Sequence, residues 1–163
     1  MTGRMRVFLA TAGCMFLLVL GLAPAHAANV LFTVQQKSGG GTFDVTDDIL
    51  ARLKPHHFKA VLPGGTGAEQ DVGGPLLRDV IEAAGLHGTK VWAKALDGYE
   101  MDIPFTDLDR FDVIAATEVD GKPLTVRDRG PAWVVYPTVD HPELRDALYE
   151  ARSVWQIKQL IVE

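Results

Sequence analysis

Arg127, Arg129 and Trp133 stand close together in the chain, with Asp128 between the arginines, Tyr136 just beyond and a third arginine at Arg152. Guanidinium groups form paired hydrogen bonds to oxyanions and stack on rings, so these residue types suit a small anionic or planar ligand. A structural reading competes with this. Arg127 and Arg129 would pair with Asp128 or Asp97 at the surface, while Trp133 and Trp155 would fill the core, as strand aromatics commonly do.

Other chemistries have weaker support. His56 and His57 are adjacent, so on a strand they face opposite ways and on a helix they diverge by about 100°, which makes joint metal ligation awkward. His87 and His141 fall next to a glycine and a proline, in predicted loops. The chain has no H-E-x-x-H helix for zinc and no G-x-S-x-G elbow for a serine hydrolase. Pro63-Gly64-Gly65-Thr66-Gly67 has glycines of the kind that cradle phosphate but lacks the Gly-Lys-Ser/Thr ending, and it reads as a surface loop.

The elements that must position these residues follow from pattern. Val30 to Val34 is a β-branched and aromatic run ending at Ser38-Gly39-Gly40-Gly41, as a strand entering a loop does. Thr46 is an N-cap for a short helix with Ile49, Leu50 and Leu53 on one face, and Phe58 to Leu62 reads as a strand. Pro75 suits the first position of a helix that ends at Gly85, with Leu76, Leu77, Val80, Ile81 and Ala84 as its buried stripe. Asp97-Gly98 and Asp120-Gly121 are hairpin turns, the first between Val91 to Leu96 and Tyr99 to Ile103, the second between Val113 to Val119 and Pro123 to Val126. Trp133 to Tyr136 is a strand, Pro142 to Ala151 a helix with Leu144, Ala147, Leu148 and Ala151 inward, and Val154 to Val162 a closing strand. The sum is α+β and β-rich.

In order, the chain reads G-P-L-L-R-D-V-I-E-A-A-G from Gly74, A-L-D-G-Y-E-M-D-I-P from Ala95, V-D-G-K-P-L-T-V-R-D-R-G-P-A-W-V-V-Y-P from Val119 and R-S-V-W-Q-I-K-Q-L-I-V from Arg152. This series resembles the oxidoreductase molybdopterin-binding domain, the fold of the sulfite oxidase family. The resemblance implies a mixed, β-rich α+β fold in a single domain, with a cleft for the pterin pyrophosphate and, in enzymes, an oxo-molybdenum centre. It places Arg127, Arg129, Trp133 and Arg152 at or near that cleft and Tyr99 at its rim, which makes these five the candidate cofactor-binding or ligand-binding residues. It also implies two departures. The family's enzymes hold molybdenum through a cysteine thiolate, and the region expected to supply it, between Arg52 and Gly74, has none; the chain's single cysteine is Cys14. In the enzymes, a glycine-alanine-proline-leucine-arginine segment carries an anion-holding arginine. Here the segment is Arg129-Gly130-Pro131-Ala132-Trp133, and Trp133 occupies the arginine's place, where it offers no charged fork.

Residues 1–27 read as a secretory signal peptide: Arg4 and Arg6 form the basic start, Val7 to Leu22 is apolar, and Ala25-His26-Ala27 is a small-x-small cleavage site. The apolar run is interrupted by Thr11 and Gly13 and falls short of the ~20 residues that span a bilayer, so no membrane embedding is expected after cleavage. Residues 28–163 would then form one domain without cysteine. Of 16 basic residues, 14 remain against 21 acidic ones, a net charge of -7 that argues against a nucleic-acid partner. The family's exported enzymes usually fold around their cofactor before leaving by the twin-arginine route. Arg4-Met5-Arg6 lacks the adjacent pair, which points to export of an unfolded, cofactor-free chain.

The favoured expectation is therefore a periplasmic, non-catalytic relative of the molybdopterin oxidoreductases. It would act as a ligand-binding or interaction module, with a periplasmic or membrane sensor protein as partner and no cofactor required. The alternatives are a molybdopterin-dependent oxidoreductase with non-thiolate molybdenum ligation, and a structural or assembly partner whose cleft stays empty.

Overall fold

A computed structural model describes residues 29–163; the expected signal peptide, with Cys14, lies outside the described residues. The largest sheet has five strands in the order β2-β1-β11-β5-β6: β1 (Val30–Gln36), β2 (Thr42–Thr46), β5 (Lys90–Ala95), β6 (Glu100–Pro104) and β11 (Ile157–Val162). β1 runs parallel to β11 while every other pairing in it is antiparallel, so the sheet is mixed, as the resemblance implied. Burial alternates along β5 and recurs at Ile157, Leu160 and Val162 of β11, which is how a half-buried strand presents one face to a core.

A four-stranded sheet, β3-β4-β8-β9, combines β3 (Pro55–Val61) and β4 (Glu69–Pro75) with the short β8 (Glu118–Val119) and β9 (Lys122–Pro123). Asp120 and Gly121 join the last two with φ of 51° and 70°, the paired positive values of a tight primed turn. Between the two sheets lies an antiparallel ribbon of β7 (Ile114–Ala116) and β10 (Trp133–Val135), every residue of which is buried. Side chains alternate across a strand, so the ribbon feeds two cores. Ala115 and Val134 join Phe32, Leu77, Ile81, Ile103, Leu160 and others of the main cluster, while Ile114, Ala116, Trp133 and Val135 join Ala60, Leu62, Val72 and Leu76 on the far side.

Four short helices cover these layers: α1 (Asp47–Arg52), α2 (Leu77–Ala83), α3 (Phe105–Arg110) and α4 (Ala147–Arg152). Thr46 caps α1 as expected, its hydroxyl accepting from the Ile49 amide at 3.3 Å. The helix expected from Pro75 begins two residues later, because Pro75 ends β4 and pairs with Pro55. That strand escaped the sequence reading because Gly73 and Gly74 look like breakers. Gly74 is required by close approach instead: a Cβ there would strike the Ala115 carbonyl and lie 2.8 Å from the Ala116 Cα.

The helix expected over Pro142 to Ala151 is divided. Pro142–Leu144 is a 3-10 turn, and α4 starts afresh after Asp146, whose carboxylate accepts from the Leu148 amide at 2.8 Å. This break rotates the register, so Ala147 and Leu148 face outward and Tyr149 packs against Phe111 and Tyr136. α3 was not foreseen, being a single helical turn without a periodic stripe.

Candidate functional site

Arg129 is fixed by its backbone before its side chain makes any contact. It follows the 3-10 turn Val126–Asp128 in the left-handed region (φ 70°, ψ 11°), a conformation that costs a non-glycine residue on the order of 1 kcal/mol. Its carbonyl accepts from the Gln156 amide at 2.9 Å, and the Gln156 side chain donates to the Val126 carbonyl at 2.6 Å, tying the turn to the approach to β11. Held so, the guanidinium donates from Nη1 to the Pro63 carbonyl at 2.6 Å and from Nη2 to the Gly64 carbonyl at 3.1 Å. Its central carbon lies 4.8 Å from the Trp133 ring and 5.2 Å from the Trp155 ring, and the two indoles meet edge to face with centroids 6.1 Å apart. Weakly hydrated guanidinium is well suited to such aromatic faces.

The expected surface pairing of Arg129 with Asp97 or Asp128 is absent among the described ion pairs. Asp128 accepts from the Thr125 hydroxyl at 2.6 Å instead. Trp133 is core, as the structural reading held: it is buried and donates Nε1–H to the Ser153 carbonyl at 3.0 Å. Trp155 departs from that reading, being 37% exposed.

Beside Trp155 lies a hollow of about 380 Å³, bounded by the Pro63–Gly64 turn, the β5–β6 turn and α4. Ala95, Ala151 and Val154 line its floor, Tyr99 and Trp155 its walls, and Asp97 and Glu150 are the charged residues among its lining. The Tyr99 ring is set by two contacts: its amide donates to the Asp97 carboxylate at 2.9 Å and its hydroxyl to the Ala151 carbonyl at 3.0 Å. Arg127 sits elsewhere, exposed on a wider hollow of about 610 Å³ that also takes in Asp120, Asp128 and one side of Arg129 and Trp133.

Arg152 lines neither hollow. Its Nη1 donates to Asp107 Oδ2 at 2.9 Å with both side chains about nine-tenths buried, its Nε donates to the Asp102 carbonyl at 3.2 Å, and the Tyr136 hydroxyl donates to the same Asp107 oxygen at 3.0 Å. The five candidates are thus divided: Tyr99 lines the hollow, Arg129 and Trp133 back onto its wall, Arg127 is on another surface, and Arg152 is an interior ion-pair partner. Asp97, Trp155 and the Pro63-Gly64 turn, which the sequence offers as an ion-pair partner, a core ring and a surface loop, take part in the site instead, and Glu150 joins them without any sequence signal.

The buried triad makes a pH prediction. Burial, followed by the neighbouring Asp107 charge, pushes the Tyr136 phenol far above its ordinary value of 10.0. The folded state then keeps its proton where the unfolded chain loses it, so stability is intact below pH 10 and falls as pH rises beyond it. We expect the melting temperature to drop between about pH 10 and 11 and the slope to be flatter in Tyr136→Phe; equal slopes in the two proteins would refute this.

His57 Nδ1 lies 3.6 Å from Asp71 and 3.7 Å from Glu118, and His141 pairs with Glu143 at 3.4 Å. Among the described residues no group of three or more side chains is placed to hold a metal ion. A thiolate-held molybdenum centre does not fit them either, since they contain no cysteine and the Pro63–Gly64 carbonyls already accept from Arg129.

Residues 60–140, which run from the end of β3 past β10, match the oxidoreductase molybdopterin binding domain. Over this stretch the chain belongs to that family. The fold agrees: a crystal structure of the sulfane dehydrogenase SoxCD from Paracoccus pantotrophus superposes with a TM-score of 0.61 over 82% of this chain, at 16% identity. This chain spans 38% of the length of that one. No curated protein matches by sequence. Set in the family's fold, the Arg129 contacts fall in the stretches where the resemblance expects the thiolate and the anion-holding arginine. No helix among the described residues is long and apolar enough to cross a membrane.

Proposed function

We propose that this protein is a non-catalytic member of the molybdopterin oxidoreductase family, exported to the periplasm, where it works as a binding module rather than a redox enzyme. The observation that carries the reading is the Arg129 bridge. A guanidinium hydrogen-bonded to the Pro63 and Gly64 carbonyls and set over the Trp133 and Trp155 rings engages the stretch between Arg52 and Gly74, where the resemblance expects a metal-binding thiolate and the sequence has none. Trp133, in place of the family's arginine, supports that bridge from within the core. Family scaffold and lost chemical positions together favour recognition over catalysis. Export fits the expected signal peptide, and a small-molecule module in the periplasm suits a membrane sensor as its partner.

Molybdenum and pterin content of the protein purified from the periplasm tests this, by elemental analysis and by fluorescence of oxidised pterin. We expect a folded protein with neither. Near-stoichiometric cofactor would establish the competing reading, a molybdopterin-dependent oxidoreductase with non-thiolate ligation.

A further inference from the structure

We infer that the hollow beside Trp155 and Tyr99 is a binding site for a small organic cation, an ammonium carried on a flat or compact apolar body. This rests on the binding-module reading above and supplies its ligand class. Size comes first: about 380 Å³ lies within the ~300–1,000 Å³ typical of small-molecule sites. Most of the lining is apolar, and its two aromatic residues remain partly exposed, Tyr99 at 46% and Trp155 at 37%, with Arg129 lying over the Trp155 ring. Such surface is left open at a cost unless something covers it.

Charge decides which ligand. Asp97 and Glu150 are the ionised side chains of the lining, and no lysine, arginine or histidine lies among it. Neither carboxylate belongs to an ion pair of the described residues. Asp97 uses one oxygen to accept from the Tyr99 amide. The Ala151 and Ser153 carbonyls are already engaged, accepting from the Tyr99 hydroxyl and the Trp133 indole, so the two carboxylates are what the site offers a cation. Arg129, the nearest guanidinium, is outside the lining and donates to the Pro63 and Gly64 carbonyls. An anion would therefore meet acidic side chains, whereas a cation finds two carboxylates and two aromatic residues in the lining. The net charge of -7 expected for residues 28–163 steers the same class of ligand toward the protein.

Three probes of nearly equal shape separate charge from shape: benzylammonium, benzyl alcohol and benzoate, titrated calorimetrically into the purified full protein at neutral pH. We expect the ammonium to bind at least tenfold more tightly than benzyl alcohol, and benzoate to bind most weakly. Glu150→Gln and Asp97→Asn should each weaken the ammonium about threefold, the asparagine oxygen still accepting from the Tyr99 amide, and added salt should weaken it further. Trp155→Leu should weaken it about fivefold or more, with the melting temperature recorded to confirm folding. Benzoate binding as tightly as the ammonium, absence of binding by all three probes, or affinities indifferent to Glu150→Gln and Trp155→Leu would overturn the site. Each such failure in a protein free of molybdenum and pterin removes the cation site alone. Cofactor in the protein removes the non-catalytic reading first.

Discussion

Arg152→Met is expected to destabilise the folded protein by about 3–5 kcal/mol, because it strands the Asp107 carboxylate in the interior. The two side chains are 12% and 11% exposed and meet at 2.9 Å, with Tyr136 donating to the same carboxylate oxygen. Without the guanidinium, one phenol hydroxyl faces a charge that has lost its counter-ion. Domains of this size are stable by only about 5–15 kcal/mol, so a loss of that order lowers the melting temperature by roughly 10 °C or more. Asp107→Asn added to Arg152→Met should restore much of the loss, since it removes the stranded charge and keeps a hydrogen-bond acceptor for Tyr136. Urea unfolding of the single and double variants checks both points. A loss below about 1 kcal/mol for Arg152→Met would mean that the pair is effectively solvated, as surface pairs are. Because Arg152 lies outside the hollow, ligand affinity per folded molecule should not change, which separates an interior role from the ligand-binding role that its sequence position suggested.

That contrast shows what was legible in the chain. Position in a family motif placed Arg152 beside the cleft, and its neighbours Trp133 and Trp155 do come together around Arg129. The partner that decides the side chain's direction, Asp107, lies 45 residues away on α3, a helix too short to leave a periodic signature. The strands with strict alternation or β-branched content, such as β1, β5 and β11, were readable because one face of each is buried in the main core. β4 was not, because its defining feature is the absence of side chains where Gly74 meets the Ala115 carbonyl, and glycine reads as a breaker when its neighbour in space is unknown. The outward turn of Leu148 had a similar origin. Asp146 restarts the helix, and a periodicity counted from Pro142 is then out of phase. For the site, residue types announced recognition of a flat molecule, while the sign of the charge depended on which groups line the hollow. Arg127 and Arg152 pointed to an anion in the sequence, yet Asp97 and Glu150 are the charges that the fold delivers there.

Trp133→Arg, which restores the residue type that the resemblance expects, should be the most damaging single change at the site. Trp133 is 2% exposed, among the largest of the fully buried side chains, and its ring carries the Arg129 guanidinium on one side while its Nε1–H is bonded to the Ser153 carbonyl. Loss of that packing alone costs about 3–5 kcal/mol when a buried tryptophan is truncated. An arginine in its place adds a desolvated charge beside Arg129, in a core cluster whose other members are Ala60, Leu62, Val72, Leu76, Ile114, Ala116 and Val135. We expect a loss of at least about 4 kcal/mol, seen as failure to accumulate soluble protein or as a melting temperature far below that of the parent. Trp133→Phe, which keeps a ring under Arg129 but gives up the indole hydrogen bond, should cost only about 1–2 kcal/mol and serves as the folded control. Adding Arg129→Ala to Trp133→Arg should recover part of the stability by removing the like charge. If instead Trp133→Arg folds with parental stability and acquires affinity for an oxyanion such as sulfite, the arginine position is still open to the family's chemistry. The Arg129 bridge would then be a movable side chain, not the fixed replacement for a metal-binding loop on which the proposed function rests.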